Sequence, residues 1–481
     1  MSTADAPWFR LDNAALIFPA IAGRRHTTIF RISISLREHV DLARLESALQ
    51  RMARRTPYFQ VELRRGVFWY LFETNRGSPR VMPDSRHPNM DFRIRGPGRF
   101  AYRVRAYRNR IALEVSHILT DGTGALRFLR SLVAEYLLAA EAGGSDPGAG
   151  SALQAGRDLR QGSGRHQSSG AREGSDGQRS SRRHQSSDPR EGSDLLRPGV
   201  TPDPSEGRDS FHDLYRPDVP PVHRKEPAWR LPGRVVTGRY FVTTGRVPYS
   251  GLRDLAGSIG VKITPLLVAF HMLALTEVME QSGTRKRPIR ILVPVNLRRF
   301  FPSDTMRNFF LYVDPEIDPR LGTYTLEELA LRVSRQMDLG LDRRELSRHL
   351  KRNIGSERHP ILRLLPRSLK DRVLSYFYQR ISEPQFSGSL SNLGRVTLPG
   401  LLDREITGVE FIPPPSPVTR TNCGVISCGD EVSITWGSLS RDRSLERAFF
   451  RSMVSHGLSV ALETNYTPRQ DTLCPTATDA E

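Results

Sequence analysis

The spacing of apolar side chains changes period repeatedly along this 481-residue chain. Residues 28–34 alternate Phe30, Ile32 and Ile34 against Ile29, Arg31 and Ser33, the period of two that predicts a strand. Asp41 then stands where a helix N-cap belongs, and Leu42, Leu45, Leu49 and Met52 follow at helical spacing as far as Pro57. Short strands are predicted at residues 59–63 and 68–72. A further strand covers 110–117, with a helix opening just after Asp121 and burying Leu126, Leu129, Val133, Tyr136 and Leu137.

The pattern restarts with a strand over residues 235–242. A strong helix follows, with Thr264 at the N-cap, Pro265 in the first position and Gly283 at its C-terminal end. Strands at 289–295 and 308–313 come next, then helices over 326–337 and 368–381. Gly429–Asp430 between apolar runs at 423–428 and 432–437 predicts a hairpin, and a last helix spans about 445–458.

Between these parts, residues 142–210 are rich in Gly, Ser, Arg, Asp and Gln. The unit RHQSSGAREGSD at 165–176 returns as RHQSSDPREGSD at 183–194. Such a stretch cannot bury enough apolar surface to offset its ordering entropy, so it reads as a disordered linker. His166 and His184 recur within it, which suits a solvated spacer better than a metal site. The expected organisation is a first half at 1–141, a polar linker at 142–228, a second half at 229–466 and a flexible tail at 467–481. The class is mixed α/β.

The formal net charge is +19. That field favours anionic partners such as nucleic acid, an anionic membrane or a phosphate-rich substrate. The arginines are spread along the chain without interleaved aromatics, so nucleic acid is not expected. The run around 266–278 is interrupted by His271, Thr276 and Glu277, so no membrane span is expected. The first residues lack a basic start leading into an apolar run, so no secretory signal is expected, and three cysteines make no disulfide framework. A cytoplasmic monomer is expected.

The candidate chemistry lies in I111-A-L-E-V-S-H117-I-L-T-D121-G122. Ile111, Leu113, Val115 and His117 share one strand face, so His117 ends an apolar row and points inward. Partial desolvation keeps such an imidazole neutral near pH 7, as a general base requires. Gly122 lets the backbone turn sharply. The same residues fit a core histidine followed by an ordinary helix cap at Asp121. An H-x-x-x-D-G match arises by chance in roughly one such chain in twenty.

A strand that ends in H-x-x-x-D-G and runs into a helix resembles the chloramphenicol acetyltransferase-like superfamily, which includes alcohol acetyltransferases, plant BAHD acyltransferases and condensation domains. The fuller H-H form is not met, because Ser116 holds its first position. L11-D-N-A-A-L-I-F-P with F30-R-I-S-I-S-L-R, P294-V-N-L-R298-R and S391-N392-L-G-R-V-T-L-P resemble the family's other segments, whereas D-F-G-W-G is not seen. The resemblance implies two similar halves, each a mixed sheet flanked by helices, with an active-site tunnel between them. It implies His117 as the base that deprotonates an acceptor hydroxyl attacking an acyl-CoA thioester. It also implies an oxyanion held by the Gly122 N–H or the Asn392 side chain, although Asn392 fits a purely local loop role nearly as well. Asp121 is then architectural, paired with Arg298, which would hold it through two hydrogen bonds. Acyl-CoA is the expected co-substrate, with no permanently bound cofactor and no metal, and the acceptor is a small-molecule or lipid alcohol. The alternatives are N-acyl or carrier-protein-dependent condensation on the same fold, or a non-catalytic basic binding protein.

Overall fold

The computed structural model describes residues 8–23, 27–143, 194–220, 225–358, 365–378 and 383–467, apart from Asp91, Arg93 and Arg95. The duplicated unit, save Asp194, and residues 468–481 lie outside the described residues.

The first half opens with β1 (Trp8–Arg10), a 3-10 turn (Ala14–Ile17) and the single-turn α1 (Phe18–Ile21). There follow β2 (Ile29–Leu36), α2 (Leu42–Arg55), β3 (Val61–Arg65), β4 (Tyr70–Thr74) and β5 (Val81–Pro83). It closes with β6 (Tyr102–Tyr107), β7 (Arg110–Ser116) and α3 (Gly122–Gly143). The Asp41 carboxylate caps α2 through the Arg44 N–H at 2.9 Å, and Leu45, Leu49 and Met52 are sealed in the core. Leu42 is 61% exposed, however, because it falls on the first turn outside the buried stripe.

The second half contains β8 (Phe241–Pro248), α4 (Tyr249–Ile259), α5 (Ile263–Gln281) and β9 (Ile289–Asn296). Next come β10 (Phe310–Val313), β11 (Glu316–Ile317), α6 (Leu326–Gly340), α7 (Arg343–Arg358) and α8 (Arg367–Phe377). The chain ends through β12 (Gly388–Arg395), β13 (Ile406–Ile412), β14 (Thr421–Cys428), β15 (Glu431–Ser438), α9 (Ser444–Ser455) and β16 (Ala461–Thr464). The expected strand at 235–242 begins only at Phe241, because Gly233 and Gly238 take positive φ and break the extended run before it. Helix α5 starts two residues earlier than expected, with Lys262 at its N-cap, which frees the Thr264 hydroxyl for another partner.

Three sheets organise these elements. A small antiparallel sheet runs β1-β4-β3, and the second half is built on β10-β9-β12-β14-β15-β8-β16, with β11 added on β9. The first half's sheet has the order β13-β2-β7-β6-β5, so its edge strand comes from the far end of the chain. Ile412 pairs Arg31 and Val409 pairs Ile34. Strand β13 packs in turn on β14 and β15, so it belongs to the seam between the halves. Both edges of β2 are therefore paired, and both of its faces are covered. One enters the first core, and the other carries Arg31 into a buried cluster with Asp84, Glu114, Arg103 and Arg105.

Helix α5 is long and apolar enough to cross a membrane by length and composition, yet most of it forms the centre of the second core. The reading of 142–228 as a linker without structure needs correction from residue 194 onward. Leu196 and Phe211 are buried, and the buried Glu206 carboxylate takes two hydrogen bonds from Arg55, at 2.7 and 2.8 Å, and one from the Tyr58 hydroxyl at 2.7 Å. The run D203-P-S-E206 carries the signal, an acidic cap followed three residues later by Glu, and Asp203 does cap a 3-10 turn there.

Candidate functional site

Strand β7 delivers His117 one residue past its end, where the backbone turns. The His117 N–H donates to the Thr28 carbonyl at 3.0 Å, which still continues the β2 ladder. Ser116, in the place of the family's first histidine, accepts the Ile118 N–H and meets the Thr28 hydroxyl at 3.1 Å, so its hydroxyl shapes the turn. The imidazole stacks on Phe18, with ring centroids 5.3 Å apart, and lies 4.5 Å from Phe30 and 5.8 Å from Phe310. Two of these rings come from the first half and one from the second, so His117 sits on the seam.

This aromatic cage sets the electrostatics. Desolvation pushes His117 down to about 4, against the opposing charge of Asp121 and contributions from Asn308 and the Thr120 carbonyl. The ring is nevertheless half-buried rather than sealed. Its Nδ1 is buried without a hydrogen bond of normal geometry. A neutral, partly accessible imidazole is the state in which it can accept a proton.

The turn behind it is locked. One Asp121 oxygen caps α3 through the Gly124 N–H at 2.9 Å, and the other accepts from the Phe309 N–H and from Arg298 Nη1, both at 2.8 Å. The pair is largely buried, with side chains 4% and 13% exposed. Its geometry departs from the expected double hydrogen bond: one guanidinium nitrogen meets the carboxylate. The remaining Arg298 donors serve the Thr305 and Arg307 carbonyls and Asn296, so a second nitrogen is not left for the carboxylate. Arg298 thereby gathers the 305–309 segment around Asp121 as well as pairing with it.

Glycines allow the close approach. A Cβ on Gly124 would lie 2.2 Å from the Thr120 hydroxyl and 2.7 Å from the Met306 carbonyl, between which the hydroxyl donates a 2.6 Å hydrogen bond to the carbonyl. A Cβ on Gly122 would meet Leu393 at 2.6 Å. That contact brings the S391-N392-L393 segment against the His117 turn. The Asn392 side chain donates from Nδ2 to the Thr264 hydroxyl at 3.0 Å and accepts the Gly394 N–H at 2.8 Å. One Nδ2 hydrogen remains beyond that arrangement. Gly122 opens α3, where the first N–H groups have no partner within the helix.

Two site residues were not foreseen. The Asn308 amide donates to the His117 carbonyl at 2.8 Å and to both Asp12 oxygens, at 2.9 and 3.2 Å. Asp12 is buried, and desolvation, reinforced by Asp209, pushes its carboxyl up to about 7. The 303–309 segment that carries Asn308 is itself held by the former linker: Met306 N donates to the Glu206 carbonyl at 2.7 Å and the Thr305 hydroxyl to the Arg208 carbonyl at 2.6 Å. Among the described residues no cluster of His, Cys, Asp and Glu could hold a metal ion. A cavity of about 440 Å³ between Leu36, Arg44, Tyr136 and Leu402 includes no residue of the His117 turn.

No family model matches the sequence, and no curated protein matches it. Solved structures do match. TRI101 of F. graminearum, complexed with Coenzyme A and T-2 mycotoxin, is similar with a TM-score of 0.57 at 11% identity, covering 95% of this chain and 100% of that one. TRI3 trichothecene 15-O-acetyltransferase from Fusarium sporotrichioides is similar with a TM-score of 0.53 at 12% identity, over 93% and 94% of the two chains. The nonribosomal peptide synthetase FmoA3, in its AMPPNP-bound form, gives 0.52 at 15% identity, over 94% of this chain and 42% of that longer one. The fold is therefore the chloramphenicol acetyltransferase-like one, a mixed α/β architecture of two halves. At these identities the likeness is one of fold, and the chemistry must be argued from the site.

Proposed function

We propose that this chain is an acyltransferase that moves an acyl group from an acyl-CoA thioester to the hydroxyl of an acceptor, with His117 as general base. The observation that carries this reading is the His117 imidazole itself: neutral, caged by three phenylalanines at the seam and mounted on a turn locked by Asp121 and Arg298. The acceptor hydroxyl gives its proton to His117 as its oxygen attacks the thioester carbonyl. A tetrahedral oxyanion forms, for which the Gly122 N–H and the free Asn392 N–H are the candidate donors. Collapse breaks the carbon–sulfur bond, and the departing thiolate takes the proton back from the imidazolium. Asp121 does not touch the acceptor in this scheme. Its hydrogen bonds are all used to hold the turn.

The CoA bound in the TRI101 structure and the likeness to TRI3, a 15-O-acetyltransferase, support a CoA donor and an oxygen acceptor. The likeness to a peptide synthetase favours a second reading, in which the donor thioester is carried on a carrier protein. The test is thiol release and product mass spectrometry with the full chain, acyl-CoAs of several lengths and a panel of alcohols and amines, alongside a thioester-loaded carrier protein. Transfer from CoA to an alcohol is expected, and His117→Ala should lose about 10²–10⁴-fold in rate while melting like the parent. An unchanged rate in that variant would remove His117 from the mechanism.

A further inference from the structure

The turn between β3 and β4 and helix α8 form one strapped unit. The Arg367 N–H donates to the Val67 carbonyl at 3.1 Å and its Nε to the Gly66 carbonyl at 3.2 Å. The buried Lys370 ammonium donates to the Phe68 carbonyl at 3.0 Å and lies 3.2 Å from the centre of the Trp69 ring. These contacts use the inner face of α8. On its outer face Leu369, Arg372 and Tyr376 follow at helical spacing.

What the unit presents outward is apolar. Val67 is 76% exposed and Phe68 46%, at the tip of the turn, while Leu369 is 45% and Tyr376 62% exposed on the helix. Large apolar side chains exposed at the turn and on the helix hydrogen-bonded to it mark an interaction surface rather than chance exposure. The charges around them are one-sided. Glu62 and Glu73 are paired with Arg64, and Asp371 accepts from Tyr70 and Arg367. Arg65 at the end of β3, Arg372 on α8 and Arg10 on β1, which pairs with β4, are exposed and make no ion pair among the described residues.

We propose that this unit docks the protein on an anionic phospholipid surface. Val67, Phe68, Leu369 and Tyr376 enter the boundary between headgroups and acyl chains, and Arg10, Arg65 and Arg372 meet lipid phosphates. Apolar side chains at a projecting tip suit a deformable bilayer, and the unpaired arginines, on a chain of net charge +19, supply the complementary sign. The surface adjoins the candidate site. Helix α8 packs against α1, and Phe18 of α1 stacks on His117. Docking therefore places the His117 seam at the lipid surface, so that the acceptor is a lipid-borne alcohol. That consequence rests on the acyl-transfer reading; the docking does not.

The test is co-sedimentation of the full chain with phosphatidylcholine vesicles, with and without phosphatidylglycerol, at low and high salt. Binding to the anionic vesicles is expected, falling with salt. The Val67→Ser/Leu369→Ser double variant should bind them at least about tenfold more weakly, and Arg65→Ala/Arg372→Ala should approach the level seen on neutral vesicles. Tryptophan placed at the tip by Phe68→Trp should shift its emission to the blue on binding. Thiol release with a water-soluble acceptor should be unchanged in both double variants, which separates lost docking from a lost fold or a failed acyl-transfer reading. Absence of wild-type binding, equal binding to neutral and anionic vesicles, or wild-type binding by Val67→Ser/Leu369→Ser would each overturn the proposal.

Discussion

Burial at His117 does two things at once: it lowers the ring's basicity and keeps the ring neutral at neutral pH. Its ordinary value of 6.5 is pushed down to about 4. Protonation removes the base, so the acid limb of kcat/KM should fall near pH 4, with a plateau above it. An acid limb near 6.5, measured over pH 3.5 to 8 with stable protein, would place the ring in a more solvated setting than described. Behind the ring, Asp121→Ala and Arg298→Ala each strand a largely buried charge. Each should cost about 3–5 kcal/mol in denaturant titration, with the double variant far from additive. Much of this was legible because His117, Asp121 and Gly122 stand in one short run and Arg298 ends a strand in another. Asn308 and Asp12 were not, because they meet across a sequence separation of 296, and the segments that carry them give no sign that the two side chains face each other. Asn308→Ala should leave the fold in place, yet lower the rate and move the acid limb, since it frees the His117 carbonyl and the Asp12 carboxyl together.

At the scale of elements, the H-x-x-x-D-G turn works because α3 can start within reach of the second half. Gly124 matters as much to this as Gly122, although only the latter belongs to the motif. The side chain of Gly124→Ala has nowhere to go between the Thr120 hydroxyl and the Met306 backbone. Overpacking of this kind costs about 1–3 kcal/mol, and a lowered melting temperature together with a slower acyl transfer is expected. Periodicity located most long elements within a few residues but misjudged those governed by distant contacts. Leu42 has the right spacing and the wrong side of the helix. Residues 235–240 are rich in β-branched side chains, yet two glycines in left-handed conformations keep them out of the sheet. Residues 203–211 read as polar linker because their anchors are ionic: Glu206 is held by Arg55 and Tyr58 rather than by a row of apolar neighbours. Glu206→Ala should destabilise the chain about as strongly as loss of the Asp121–Arg298 pair, for the same reason.

For the whole molecule, pH acts through buried histidines. Burial holds His117 and His349 at about 4 and His271 at about 3, all below the ordinary 6.5. The unfolded chain takes up protons that the folded one refuses between those values. Their contribution to stability is thus complete above pH 6.5 and is lost as pH falls toward 4. Asp12 has the opposite sign: pushed up to about 7, its contribution is present below the ordinary carboxylate value and fades as pH rises through 7. Three histidines, against Asp12 and the Glu446 carboxyl that burial also pushes up, should make the chain less stable to urea at pH 5 than at pH 7. Equal midpoints at the two values would mean that these histidines are hydrated in the native state.

The placement of β13 also sets a timetable for folding. Its partner β2, an eight-residue strand of mostly apolar and β-branched residues, leaves the ribosome several hundred residues ahead of Ile406–Ile412. At ordinary elongation rates that interval is roughly twenty seconds to a minute or more. Throughout it, one flank of β2 offers unsatisfied backbone groups to any other strand, the condition that favours association between nascent chains. The amino-terminal half made alone should therefore aggregate, and supplying the carboxy-terminal half on a second polypeptide should rescue it. The two halves of this fold are, in that sense, halves of its shape and not of its assembly.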